Sequence, residues 1–141
     1  MVNFRIRARF MVILCCATLS GCGGALVTYP GSPKSEDSIA TVERGVFKVP
    51  GREYITFFEG YAKWHPENRL NFTQTSGMPS ELKMLPGEYV LSIRCSTGNQ
   101  YAISSTHIKV EAGATYQVLC GPVPDQLDKI FTFTKKVAPD H

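Results

Sequence analysis

The 141-residue chain lacks any apolar run of the ~18–20 residues that a membrane-spanning helix needs. It also lacks helical periodicity, since no stretch holds a 3.6-residue repeat for more than about ten residues. Histidine is scarce, at His65, His107 and His141. There is no Gly-x-Ser-x-Gly elbow, no glycine-rich phosphate loop and no calcium-loop pattern, so the common hydrolase, nucleotide and EF-hand signatures are missing. Charged residues make up 19% against 43% hydrophobic and 11% aromatic. That balance excludes a wholly disordered chain and suits one packed domain.

The small positive charge, +3 overall, is concentrated at the start. Arg5, Arg7 and Arg9 precede the first acidic residue, Glu36. The apolar stretch Phe10 to Leu19 follows, then the small residues Ser20, Gly21, Cys22, Gly23 and Gly24. A basic segment, a short apolar segment and a small-residue region form a secretory signal pattern over residues 1–21. Leu19-Ser20-Gly21-Cys22 resembles the bacterial lipobox. The resemblance implies cleavage before Cys22, a diacylglyceryl group on its thiol and N-acylation of the new terminus. Two or more acyl chains on one residue hold a protein firmly to a bilayer, where a single chain does so only marginally. Gly23 rather than Asp follows Cys22, which by the same resemblance implies the outer membrane, periplasmic side.

Cleavage there removes three arginines and leaves twelve basic against twelve acidic residues. The mature chain is neutral, and no basic footprint for nucleic acid survives. Cys15 and Cys16 leave with the signal, Cys22 carries lipid, and Cys95 and Cys120 remain. In an oxidising compartment two remaining thiols point to one disulfide. Two free buried thiols are the alternative. A zinc site with His65 and His107 is a third option, against which the wide cysteine spacing speaks.

Residues 22–38 comprise the lipidated cysteine and a Gly-, Pro- and Ser-rich linker. As a loose chain it spans roughly 20–25 Å. Tyr29 and Pro30 could instead clip it onto the domain. From residue 39 to 137 short strands alternate with turn signals: 39–42, 45–49, 53–61, 70–75, 81–85, 89–96, 101–111, 115–120 and 130–137. Pro66 centres an irregular stretch at 62–69. In YVLSIRCS, Tyr89, Leu91, Ile93 and Cys95 share one face; in TYQVLC, Tyr116, Val118 and Cys120 do. The expected fold is all-β, a small antiparallel β-sandwich of seven or eight short strands drawn from these nine stretches, with a tail at 138–141.

The segment LPGEYVLSIRC…IKVEAGATYQVLC, about residues 85–120, is similar to immunoglobulin- or transthyretin-like modules of bacterial envelope proteins, including PEGA-type domains. Tyr29-Pro30-Gly31 near the mature start is similar to that of bacterial lipoproteins. Such modules mostly bind or space, and fold does not settle function. The aromatic stretch 54–65 supplies the candidate binding surface, Tyr61, Trp64 and His65, because aromatics concentrate at interface hot spots. Trp64 could alternatively plug one end of the sandwich. The expected function is that of a non-enzymatic lipoprotein, held to the membrane through lipid on Cys22, that binds or scaffolds an envelope protein or glycan. The alternatives are a small inhibitor or accessory factor of a cell-wall enzyme, acting through loop 62–69, and an enzyme on envelope polymers. No catalytic residue, cofactor, metal or nucleic-acid partner is expected.

Overall fold

The computed structural model describes residues 23–67 and 69–138. The signal segment 1–21, Cys22 and most of the tail, His141 included, lie outside the described residues. Ten strands form two sheets. The first runs in the order β1 (Ala25–Val27), β6 (Glu81–Met84), β2 (Ala40–Arg44), β9 (Thr115–Val123) and β10 (Gln126–Val137). The second runs β3 (Val46–Val49), β4 (Arg52–Lys63), β7 (Gly87–Thr97) and β8 (Gln100–Val110). A two-residue strand, β5 (Thr73–Gln74), pairs with β4 beyond the part that β3 occupies. One 3-10 turn, Glu36–Ser38, is the helical element among the described residues.

The sheets pack as an all-β sandwich, held by period-two burial. Along β4, Tyr54, Thr56 and Phe58 are buried while Ile55 and Phe57 between them are half-buried. Leu91 and Ile93 of β7 meet Val118 and Cys120 of β9, Val42 of β2, and Leu82 and Met84 of β6 in one core. Each large apolar side chain fully buried there contributes about 2 kcal/mol relative to exposure. Turns fall where glycine and proline predict them, at Pro50-Gly51, Thr97-Gly98-Asn99 and Ala112-Gly113.

Cys95 of β7 and Cys120 of β9 form a disulfide, with Cα atoms 5.9 Å apart. It crosses the core from one sheet to the other. Both cysteines are buried, and the Thr56 hydroxyl donates to the Cys120 sulfur at 3.5 Å. The thiols are thus not available to a zinc site with His65 and His107.

Gly45 lies where β2 of the first sheet turns into β3 of the second. Its N–H donates to the Val118 carbonyl at 2.7 Å, and its carbonyl accepts from the Thr56 N–H at 3.1 Å. A Cβ there would lie 2.7 Å from Leu119 Cγ, so the chain passes between sheets only because this residue has no side chain.

Three expectations change. There are ten strands, because the body includes short pieces too brief to show a period. The stretch 70–75 contributes only Thr73–Gln74. Two pairings, β1 with β6 and β2 with β9, are parallel in an otherwise antiparallel structure. Most important for the site, residues 23–38 are not a free linker. Ala25–Val27 pair with Glu81–Lys83, and Tyr29 is buried. Lys83 extends this seam, its ammonium lying 3.1 Å from Glu36 and 3.5 Å from Glu81. Burial pulls the Lys83 pKa down, but the hydrogen bond to Glu36 and the two carboxylate charges outweigh it and hold it above the ordinary lysine value.

Candidate functional site

The outer face of the second sheet is built by register. Ile55 stands beside Ser96, which stands beside Tyr101; Phe57 stands beside Arg94, beside Ile103. Farther along, Ala62 pairs with Val90 and Val90 with His107. Between these rows β4 carries a bulge at Phe58/Gly60. One extra residue reverses which side chains point outward. Before it the odd residues Ile55 and Phe57 face out; after it Gly60 and Ala62 do, and Tyr61 turns inward.

The bulge separates the three residues singled out in the sequence. Tyr61 packs against the core, and its hydroxyl donates to the Thr28 carbonyl at 3.4 Å. It lines a cleft of about 340 Å³ with Tyr29, Pro30 and Tyr89. The Tyr89 hydroxyl donates to the Leu85 carbonyl at 2.9 Å, and burial, helped by neighbouring Tyr61, raises its phenol pKa above the ordinary value. This cleft is therefore where the N-terminal segment is stapled down by tyrosines. His65 is exposed in the turn after β4.

Trp64 is half-buried, anchored by its backbone N–H donating to the Glu88 carbonyl at 2.9 Å. Its indole meets the His107 ring edge-on, with centroids 5.1 Å apart. His107 Nε2 lies 3.3 Å from a Glu88 carboxylate oxygen, and Lys109 Nζ lies 3.9 Å from the other. One end of the outer face thus presents an indole, an imidazole, a carboxylate and an ammonium together. These groups suit hydrogen bonding and stacking with a partner. Trp64 neither plugs the core nor joins Tyr61.

The rest of the face is aromatic and basic. The Arg94 guanidinium lies over the Tyr101 ring at 4.8 Å, with Arg94 Nε 2.5 Å from a Glu59 oxygen. The Arg44 guanidinium lies over the Phe57 ring at 5.2 Å. Tyr101 is 64% exposed and Ile103 54%, two large side chains side by side on one strand face. Phe72, another exposed aromatic, borders a shallow groove with Ile103, Gln74 and Ser92. Tyr101 and Ile103 were the residues that sequence reasoning passed over, and His107 entered it only as a zinc option. The alternation of YAISSTHIKV already sets them on one face, but only the sheet order puts β8 at the edge of the sheet, where Tyr101, Ile103 and His107 stay exposed while Ala62 and Val90 of the same face are buried.

Among the described residues no group of three or more His, Cys, Asp or Glu is arranged to hold a metal ion. No helix of the described residues is long and apolar enough to cross a membrane. Compared with protein-family models, with curated proteins and with solved structures, the chain matches none.

Proposed function

We propose that this chain is a lipid-anchored module of the bacterial cell envelope that binds a protein or glycan partner and carries out no chemistry itself. The observation that carries this reading is the exposed part of the outer face of the second sheet, where the Trp64 and His107 rings meet edge-on beside Glu88 and where Tyr101 and Ile103 stand exposed. Large amphipathic rings held by a rigid sheet supply contact area at low entropic cost, the composition of interface hot spots. Two features support export and anchoring. Leu19-Ser20-Gly21-Cys22 follows a basic and apolar signal pattern. A buried disulfide between β7 and β9 belongs to an oxidising compartment. Gly23 after the anchoring cysteine favours the outer membrane, facing the periplasm.

The test is site-specific photo-crosslinking in living cells. A crosslinking residue at Trp64 should capture a discrete species, and one at exposed Lys135, on β10 of the other sheet, should not. Protease digestion against glycan digestion of that species tells a protein partner from a glycan. Equal, diffuse labelling from both positions would defeat the proposal. Cys22→Ser should move the protein from the membrane to the soluble fraction.

A further inference from the structure

The first described residue is already fastened to the domain. The Ser80 N–H donates to the Gly23 carbonyl at 3.1 Å and to the Gly24 carbonyl at 3.2 Å, and the Ser80 hydroxyl donates to Gly23 as well. β1 begins at Ala25 and pairs at once with Glu81. Cys22 immediately precedes Gly23 in the sequence. A lipid on Cys22 would therefore join the domain next to the Gly23 that Ser80 holds.

Several features converge on that place. Met78, two residues before Ser80, is 47% exposed and sits at positive φ (48°) between Gly77 and Pro79. The Arg44 N–H donates to the Ser80 carbonyl, and its guanidinium would lie 3.4 Å from a Cβ on Gly23. Arg44 has no carboxylate partner among the described residues and lies over Phe57, beside which Ile55 and exposed Val46 extend the face. The carboxylates of Glu59 and Glu81 are matched by Arg94 and Lys83. The corner thus offers apolar side chains, exposed Met78 and Val46 with half-buried Phe57, able to meet acyl chains, and a free cation for lipid phosphate.

We infer that this corner, formed by Met78, Arg44, Phe57 and Val46 around the exit of Gly23, is the surface on which the domain seats against an anionic bilayer. The inference rests on lipid at Cys22, as proposed above. The domain is then held flat to the membrane and does not swing on a tether. Trp64 lies just past the end of β4, seven residues from Phe57 and roughly 20 Å along the strand direction, so the Trp64–His107 end stays clear of the lipid, while Ile103, two strands or about 10 Å from Phe57, borders the seated corner.

The lone tryptophan provides the test. The mature lipidated protein is reconstituted in vesicles of phosphatidylethanolamine and phosphatidylglycerol whose acyl chains are brominated. In the Met78→Trp, Trp64→Phe protein the introduced indole should be strongly quenched, while Trp64 in the otherwise native protein should not. An unquenched indole at position 78 would overturn the seating. So would quenching of both alike, or concentration-dependent self-association that protects position 78 without lipid, which would assign the corner to a second copy. A second measurement avoids any new aromatic. The soluble Cys22→Ser protein should partition into the same vesicles, and Arg44→Glu should lower that partitioning by about fivefold or more. No change there would also overturn the seating. Mass spectrometry of the mature N-terminal peptide separates the two claims. An acylated peptide with an unquenched indole refutes the seating alone, and a peptide without acyl mass refutes the anchor on which it rests.

Discussion

Removing the Cys95–Cys120 bridge should cost the domain about 3.5 kcal/mol. The cysteines are 25 residues apart in sequence. In the chain-entropy model a closed loop of that length removes about 12 cal/mol/K from the unfolded ensemble, which is about 3.5 kcal/mol at 25 °C. For a domain of roughly 115 residues the unfolding entropy is about 0.24 kcal/mol/K, so the melting temperature should fall by about 15 °C. The assay is urea unfolding of oxidised protein, reduced protein and the Cys95→Ala, Cys120→Ala double variant. Reduced protein keeps both sulfur atoms in the core, so its loss reports the loop term. The double variant should lose somewhat more, because its two buried sulfurs are gone and Thr56 loses its acceptor. The denaturant slope should also rise without the bridge, since the freed unfolded chain exposes more surface. Losses below 1 kcal/mol on both reduction and double substitution would refute the reasoning. So would thiols that label in denatured protein before any reductant is added.

Two further outcomes follow from the fold. Gly45→Ala should destabilise by about 1–3 kcal/mol through overpacking against Leu119 and Gln117, while Gly24→Ala, which has open space, should be near neutral; equal melting points would contradict the corner described here. Tyr89→Phe should cost about 1 kcal/mol at neutral pH by deleting the hydroxyl bond to Leu85. Because the folded state favours the neutral Tyr89 phenol, that contribution is complete below the ordinary tyrosine pKa near 10 and is lost as pH rises through the higher folded value. Urea unfolding from pH 7 to 11 should therefore show a shallower alkaline decline in the variant than in the wild type. An unchanged decline would remove Tyr89 from that role.

The strand faces of β7 and β9 were legible because their apolar residues alternate strictly and both faces of the pattern end at Cys95 and Cys120. The same logic failed across 54–65, where the alternation looks continuous. A bulge adds one backbone residue without altering composition, so Tyr61 and Trp64 exchanged faces invisibly. The docking of the N-terminal segment was hidden for a related reason. Three residues of strand are too few for a period, and Gly, Pro and Ser around them look the same in a linker as in a strap laid over the surface.

By itself the sequence determined the all-β class, most of the turn positions and the signal pattern, and favoured Cys95–Cys120 as a disulfide, since each depends on neighbours a few residues apart or on counting; the break expected at Gly121-Pro122 lies inside β9. Which strands lie side by side was decided only in three dimensions. The parallel pairs β1–β6 and β2–β9 join residues 56 and 74 positions apart, and the local pattern of neither partner encodes the other. The scarcity of long apolar runs thus excludes a spanning helix. The seating proposed for the domain turns instead on Gly23 being fastened to Ser80 beside Arg44. Only tertiary contacts could set that distance, because they alone bring residues 23, 44 and 80 into one corner.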